Sequence, residues 1–78
     1  MTRFFFDTND GEQFVHDEEG LDCADVMEAR AMALKALSDI AKDVLPEGMS
    51  REIVTDIRDE TGRRILTATL SLVVQWVD

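Results

Sequence analysis

The stretch Arg63-Arg64-Ile65-Leu66-Thr67-Ala68-Thr69-Leu70-Ser71-Leu72-Val73-Val74-Gln75-Trp76-Val77 decides the fold class. Leu66, Ala68, Leu70, Leu72, Val74 and Trp76 fall on every second position, with Thr67, Thr69, Ser71 and Gln75 between them. Successive side chains of a strand point to opposite faces, so a period of two predicts a strand with one buried and one wetter face. Upstream, Arg51 to Asp59 alternates too, with Ile53, Thr55 and Ile57 on one side and Val54, Asp56 and Arg58 on the other. Asp59-Glu60-Thr61-Gly62 between the two segments reads as a turn, so the pair predicts a hairpin.

Before this hairpin the period changes. Val26, Ala29, Ala33, Leu37, Ile40 and Val44 recur at spacings of three and four, and Leu34, Ala41 and Leu45 widen the stripe. That spacing predicts an amphipathic helix of about twenty residues. Asp25 is placed to accept from the amides of the first turn while Glu28 reaches back, as in a capping box, and Pro46 and Gly48 end the helix. At the start of the chain, Arg3 to Asp7 and Glu12 to His16 read as two short strands around a Thr8-Asn9-Asp10-Gly11 turn. Asp17-Glu18-Glu19-Gly20 is a polar connection. The expected fold is one α+β domain over residues 1–78, in the order β-β-α-β-β. It is a two-layer sandwich with the helix laid on a four-stranded, mostly antiparallel sheet.

Seventy-eight residues leave no room for a second core. A chain this short buries only roughly 60% of its unfolded surface, which implies a stability of about 4–12 kcal/mol. Seventeen acidic residues face eight basic ones, for a net charge of −9, and residues 1–24 hold seven acids and one base. Such a surface repels phosphate backbones and anionic lipid, so nucleic-acid and membrane binding are not expected. Cys23 is the only cysteine, so no intrachain disulfide is available, and the opening aromatic run stops at Asp7, short of a signal-peptide core. A reducing cytoplasm is the expected compartment.

The chemical candidates are sparse. His16-Asp17-Glu18-Glu19 sets a histidine beside three carboxylates, but zinc needs several converging N or S ligands, and neighbouring strand residues point apart. Asp7-Thr8-Asn9-Asp10-Gly11-Glu12 resembles a calcium loop out of register: its fifth position is Gly11 and its sixth Glu12. Cys23 precedes a helix, yet Asp22 and Asp25 oppose its thiolate. Arg58, Arg63 and Arg64 make a small basic spot that Asp59 and Glu60 neutralise, and Met27, Met32 and Met49 read as core or edge fillers. No catalytic residue, cofactor or tight metal site is therefore expected.

Taken in order, certain pieces carry a resemblance. They are Arg3-Phe4-Phe5-Phe6-Asp7, Asp10-Gly11, Asp17-Glu18-Glu19-Gly20, Asp25-Val26-Met27-Glu28-Ala29-Arg30-Ala31, Ile40-Ala41-Lys42-Asp43-Val44-Leu45-Pro46, and Val54-Thr55-Asp56-Ile57-Arg58-Asp59-Glu60-Thr61-Gly62. The set resembles a family of small acidic bacterial proteins of unknown function, common in rhizobia and related alphaproteobacteria. The resemblance implies a bacterial cytoplasmic protein and carries over no site residues. A fainter likeness to antitoxins of the HicB type lies in the opening hairpin, the Glu-Glu-Gly turn and the Ala-rich helix, without a separate DNA-binding arm.

The leading functional expectation is a non-enzymatic protein that associates with itself or with a protein partner. The rivals are an antitoxin-like regulator of a basic partner and a metal-dependent enzyme or accessory protein using the acidic loops. The partner hairpin strand is shorter than the last segment, so Ser71 to Val77 is expected to run past it as an apolar edge. That edge, with Leu72, Val74 and Trp76, is the candidate homodimer interface. The alternative is a bulge that folds the end back over the helix. Trp76 near the terminus is expected to anchor the strand.

Overall fold

The computed structural model describes residues 1–43 and 50–77. In chain order the elements are β1 (Thr2–Asn9), β2 (Phe14–Val15), β3 (Leu21–Cys23), α1 (Val26–Asp43), β4 (Ser50–Arg58) and β5 (Arg64–Val73). The expected α+β sandwich is present, with one addition: β3 makes the order β-β-β-α-β-β. The expected helix stop at Pro46 and Gly48, and the positions Val44, Leu45 and Met49, lie outside the described residues.

The sheet runs β2-β1-β4-β5, all antiparallel, and β3 joins β1 on the flank that β2 also uses. β1 pairs with β3 at Thr2↔Cys23 to Phe4↔Leu21, and with β2 at Thr8↔Val15 and Asn9↔Phe14. On its other side it pairs with β4 from Phe5↔Arg58 to Asn9↔Val54. β4 and β5 pair from Ser50↔Val73 to Arg58↔Arg64, with a bulge at Ile57/Arg58.

Residues directly opposite on an antiparallel ladder share a face. One face therefore carries Phe4, Phe6, Ile53, Thr55, Ile57, Leu66, Ala68 and Leu70, and this face meets α1. Phe4, Cys23, Ala29, Ala33 and Ile57 form the buried cluster, with Phe6 and Leu66 packed against it. The small side chains at Ala29 and Ala33 let the helix sit close to the sheet, and Leu37 and Ile53 extend the seam. The capping expectation holds: Asp25 Oδ1 accepts from Glu28 N–H at 2.9 Å, and Glu28 Oε1 accepts from Ala24 N–H at 3.2 Å. Two stripe residues differ from expectation. Val26 is 44% exposed because it lies at the helix start, and Leu34 is 43% exposed because it lies on the flank of the buried seam.

The last strand also departs from expectation. Its hairpin pairing reaches Val73, so Ser71 and Leu72 are paired with Glu52 and Arg51 rather than overhanging. The strand stops where β4 begins, and Val74 to Val77 have no regular structure. Trp76 is 89% exposed and anchors nothing. Alternation predicts which side chains share a face; it does not say where the neighbouring strand ends.

Candidate functional site

Two regions of the surface bear on function: a polar cluster on the sheet face away from α1, and the outer edge of β5.

The cluster starts from Asp7, whose side chain is 8% exposed in the middle of β1. Arg58, at the end of β4, donates to it twice, Nε to Oδ2 at 2.7 Å and Nη2 to Oδ1 at 3.1 Å. The Asp17 N–H donates to Asp7 Oδ1 at 2.9 Å, and His16 Nδ1 stands 3.3 Å from that oxygen. Arg58 Nη2 also donates to the Asp17 carbonyl at 2.8 Å, and its guanidinium lies over the Phe5 ring at 5.1 Å. The Arg58 hydrogen bond holds the Asp7 carboxyl below its ordinary range against the opposing effect of burial. The Asp7 carboxylate in turn strengthens the hold of Arg58 on its proton.

Asp17 closes a gap in the sheet. Phe5 to Asp7 lie between the stretches of β1 that pair with β3 and β2. There Asp17 Oδ2 accepts from Phe6 N–H at 3.0 Å, and Oδ1 accepts from Glu19 and Gly20 N–H at 3.1 and 3.0 Å. Burial pushes the Asp17 carboxyl up, but the amides of Gly20, Phe6 and Glu19 outweigh it and the net shift is downward. A carboxylate with three backbone donors serves as a structural staple.

The histidine-and-carboxylate run is thus divided. His16 meets Asp7, Asp17 is spent on backbone amides, and Glu18 and Glu19 point to solvent beside a shallow groove with Phe6, Val15 and His16. Among the described residues, no group of three or more His, Cys, Asp or Glu side chains is placed to hold a metal ion. The calcium-like loop is a hairpin turn. Asn9 Oδ1 accepts from Gly11 N–H, and Asp10 Oδ1 accepts from Glu12 and Gln13 N–H. Arg51 takes the place of a cation there, donating from Nε to the Asp10 carbonyl at 2.6 Å, with Nη2 3.6 Å from Asp10 and 3.7 Å from Glu12.

Cys23 is fully buried, and burial together with Glu28, Asp22 and Asp25 raises its thiol pKa. Arg58 and Arg64 are neighbours on the ladder but serve different carboxylates: Arg58 serves Asp7, and Arg64 Nε lies 3.9 Å from Asp56. Met27 and Met32 are 62% and 39% exposed, so neither fills the core. The Asp7–Arg58 pair escaped the sequence reading because 51 residues separate its members. A charged residue at the centre of an aromatic strand was the one available signal.

At the other side of the sheet, β5 pairs only with β4 among the described residues, so its outer edge is open. Leu70, Leu72 and Val73 are 40%, 43% and 60% exposed along it. From Ile65 to Val77 the chain carries no charged residue and no proline. Edge strands are commonly guarded by lysine, proline or inward charges, and among the described residues this one is guarded only by the bulge at its start. No helix among the described residues is long and apolar enough to cross a membrane.

Comparison with curated proteins finds no match, and comparison with solved structures finds none. A family profile described as a domain of unknown function, DUF6894, matches residues 3–71, nearly the whole sheet and the helix, and the chain belongs to that family.

Proposed function

We propose that this domain acts by association rather than catalysis, and that its partner is a second copy of itself. The observation that carries the reading is the open edge of β5, uncharged in a chain of net charge −9. Unpaired N–H and C=O groups on an edge are a template for another strand, and a two-fold pair is the commonest closed arrangement. Two copies this acidic repel one another wherever their carboxylates meet, and Ile65 to Val77 is a long stretch free of them. The polar cluster supports the same reading from the negative side. Asp7 and Asp17 are committed to Arg58 and to backbone amides, so neither is a free base. Leu72 remains part of the proposed contact, while Val74 and Trp76 extend it from beyond the strand end.

The same reading puts the protein in a bacterial cytoplasm. The resemblance above supports the source, and the lone, buried, free thiol of Cys23 supports a reducing compartment. Sedimentation equilibrium from micromolar to millimolar concentration tests the association: a mass approaching twice 8.8 kDa is expected, and 8.8 kDa throughout rejects it. A second reading, neutralisation of a basic partner, is favoured by the exposed Glu18 and Glu19 beside the His16 groove. Binding of a lysine-rich peptide that shifts the amides of residues 15–19, with β5 unmoved, would establish that reading in place of the first.

A further inference from the structure

The β5 edge does not stand alone. Ala41 of α1 lines a groove of about 110 Å³ with Ile53, Leu70 and Leu72. This locates the flank of α1 that looks toward β5. Residues seven apart on a helix fall about 20° from one another, so Leu34 and then Met27 continue that flank toward the N-terminal end. Leu34 is 43% exposed and Met27 62% exposed, large apolar side chains in water on a helix that has a buried seam elsewhere. At about 100° per residue, the rest of this flank is Arg30, Ala31 and Ser38. The acids of α1, Glu28, Asp39 and Asp43, all fall on the opposite side. In a chain with seventeen acids, the flank beside β5 carries none, and neither does β5 after Arg64.

We infer that the second copy docks on both surfaces at once: β5 pairs antiparallel with its mate, and the Leu34–Ala41 flanks of the two helices meet across the same dyad. The inference rests on the self-association proposed above and adds to it where the apolar contact lies. The dyad that joins two antiparallel edge strands is perpendicular to the sheet, so it leaves both helices on the same face and makes them antiparallel. The N-terminal half of α1 packs with Phe4 of β1 and Cys23 of β3, and the C-terminal half reaches β5 at Ala41, so the contact falls on the C-terminal half. Strands are spaced about 4.8 Å apart, so that half, over β4 and β5, lies roughly 5–7 Å from the dyad. The same half of its mate then lies at roughly 10–14 Å, close enough for facing Leu34 side chains to touch. Among the described residues neither contacting surface carries a carboxylate, and the cations Arg30, Lys35 and Lys42 rim the flank. An apolar Leu34 set among these cations suits another apolar surface better than a basic partner, which the cations would repel.

The test combines a dilution series followed by amide NMR on the unmodified protein with sedimentation equilibrium on variants. On dilution, the amides of Leu34, Ser38 and Ala41 are expected to shift together with those of Ile65 to Val73. Leu34→Glu sets two like charges across the dyad and is expected to weaken the dimer by at least about ten-fold. Gln13→Glu, an equal charge change at an exposed turn, is expected to leave it unchanged. Thr69→Lys, on the other face of β5, probes strand pairing independently of the helix. If β5 amides shift and Thr69→Lys dissociates the dimer while the helix amides and Leu34→Glu have no effect, the helix contact is wrong and the self-association stands. If the unmodified chain stays at 8.8 kDa throughout, both fall.

Discussion

Asp7 and Arg58 form a bidentate pair across β1 and β4, at 2.7 and 3.1 Å, and every hydrogen-bonding neighbour of that carboxylate is a donor. This decides what a substitution does. Asp7→Asn keeps the shape but turns an NH₂ group toward Arg58 or toward the Asp17 amide, and leaves the guanidinium without its counter-charge. Breaking a buried pair from one side costs about 3–5 kcal/mol, and the lower end applies because the Arg58 side chain keeps 20% exposure. Denaturant unfolding of the variant is expected to show a loss near about 3 kcal/mol. A loss below about 1 kcal/mol, the range of an exposed pair, would mean that the pair is solvated.

The pH dependence of that loss has a definite sign. The folded-state carboxyls of Asp7 and Asp17 lie below their ordinary values, Asp7 through Arg58 and Asp17 because backbone amides outweigh its burial. A depressed carboxyl contributes stability that is complete above the unfolded value of about 3.9 and lost as pH falls through the folded one. The gap in stability between the unmodified protein and Asp7→Asn is therefore expected to be flat from pH 7 to 5 and to narrow below about pH 4. Comparing the two proteins cancels the general relief of repulsion that acidification brings to a chain of net charge −9. A gap that narrows between pH 7 and 5 would assign it to another group.

Gly20 and Gly62 both have positive φ, +74° and +88°, but in different surroundings. A Cβ on Gly20 would stand 2.9 Å from Arg3 Cγ, the Phe4 carbonyl oxygen and Phe5 Cε2, and a Cβ on Gly62 meets nothing within 4 Å. Gly62→Ala thus carries only the left-handed penalty of about 1–2 kcal/mol, while Gly20→Ala adds about 1–3 kcal/mol of overpacking. Thermal melts should rank Gly20→Ala well below Gly62→Ala. Equal melting temperatures would show that the 17–20 turn shifts freely.

How far the chain reveals this arrangement differs by element. The alternation of Leu66 and Ala68 and the stripe of Ala29, Ala33 and Leu37 were legible because burial imposes a period on side chains, and Leu70 and Leu72 continue the alternation although they are 40% and 43% exposed. β3 was not, since three residues, Leu21–Cys23, are too few to show a period and are a strand only through their register with Thr2 to Phe4. Asp17 looked like a ligand candidate because its carboxylate was visible and its three amide donors were not. The capping pair Asp25 and Glu28 was legible because both members lie within one helical turn.

Thr55 is the reverse of Asp7. It is fully buried on the helix side of β4, and its hydroxyl has no partner among the described residues. An unmade hydrogen bond there costs the desolvation of the hydroxyl with no return. Thr55→Val keeps the branched shape and removes the orphan, so it is expected to raise stability by about 1 kcal/mol. A loss on denaturant unfolding would show that the hydroxyl is satisfied.

Leu37 and Leu34 separate the two apolar faces of α1. Leu37 is 4% exposed on the buried seam with Ala29 and Ala33, and Leu34 is 43% exposed on the flank toward β5. Leu37→Ala removes packed methyl groups and leaves a cavity, which costs about 2–5 kcal/mol. Leu34→Ala in the monomer removes side-chain atoms already half in water, and alanine is the better helix former, so the expected loss is below about 1 kcal/mol. The measurement is denaturant unfolding at micromolar and at millimolar chain concentration. Leu37→Ala should lose the same amount at both, because its contacts lie within one chain. Leu34→Ala should lose little at the low concentration and more at the high one, where a dimer that buries Leu34 adds its binding energy to the folded state. A loss above about 2 kcal/mol for Leu34→Ala at the low concentration would place Leu34 on the buried seam and leave the flank beside β5 without its central contact.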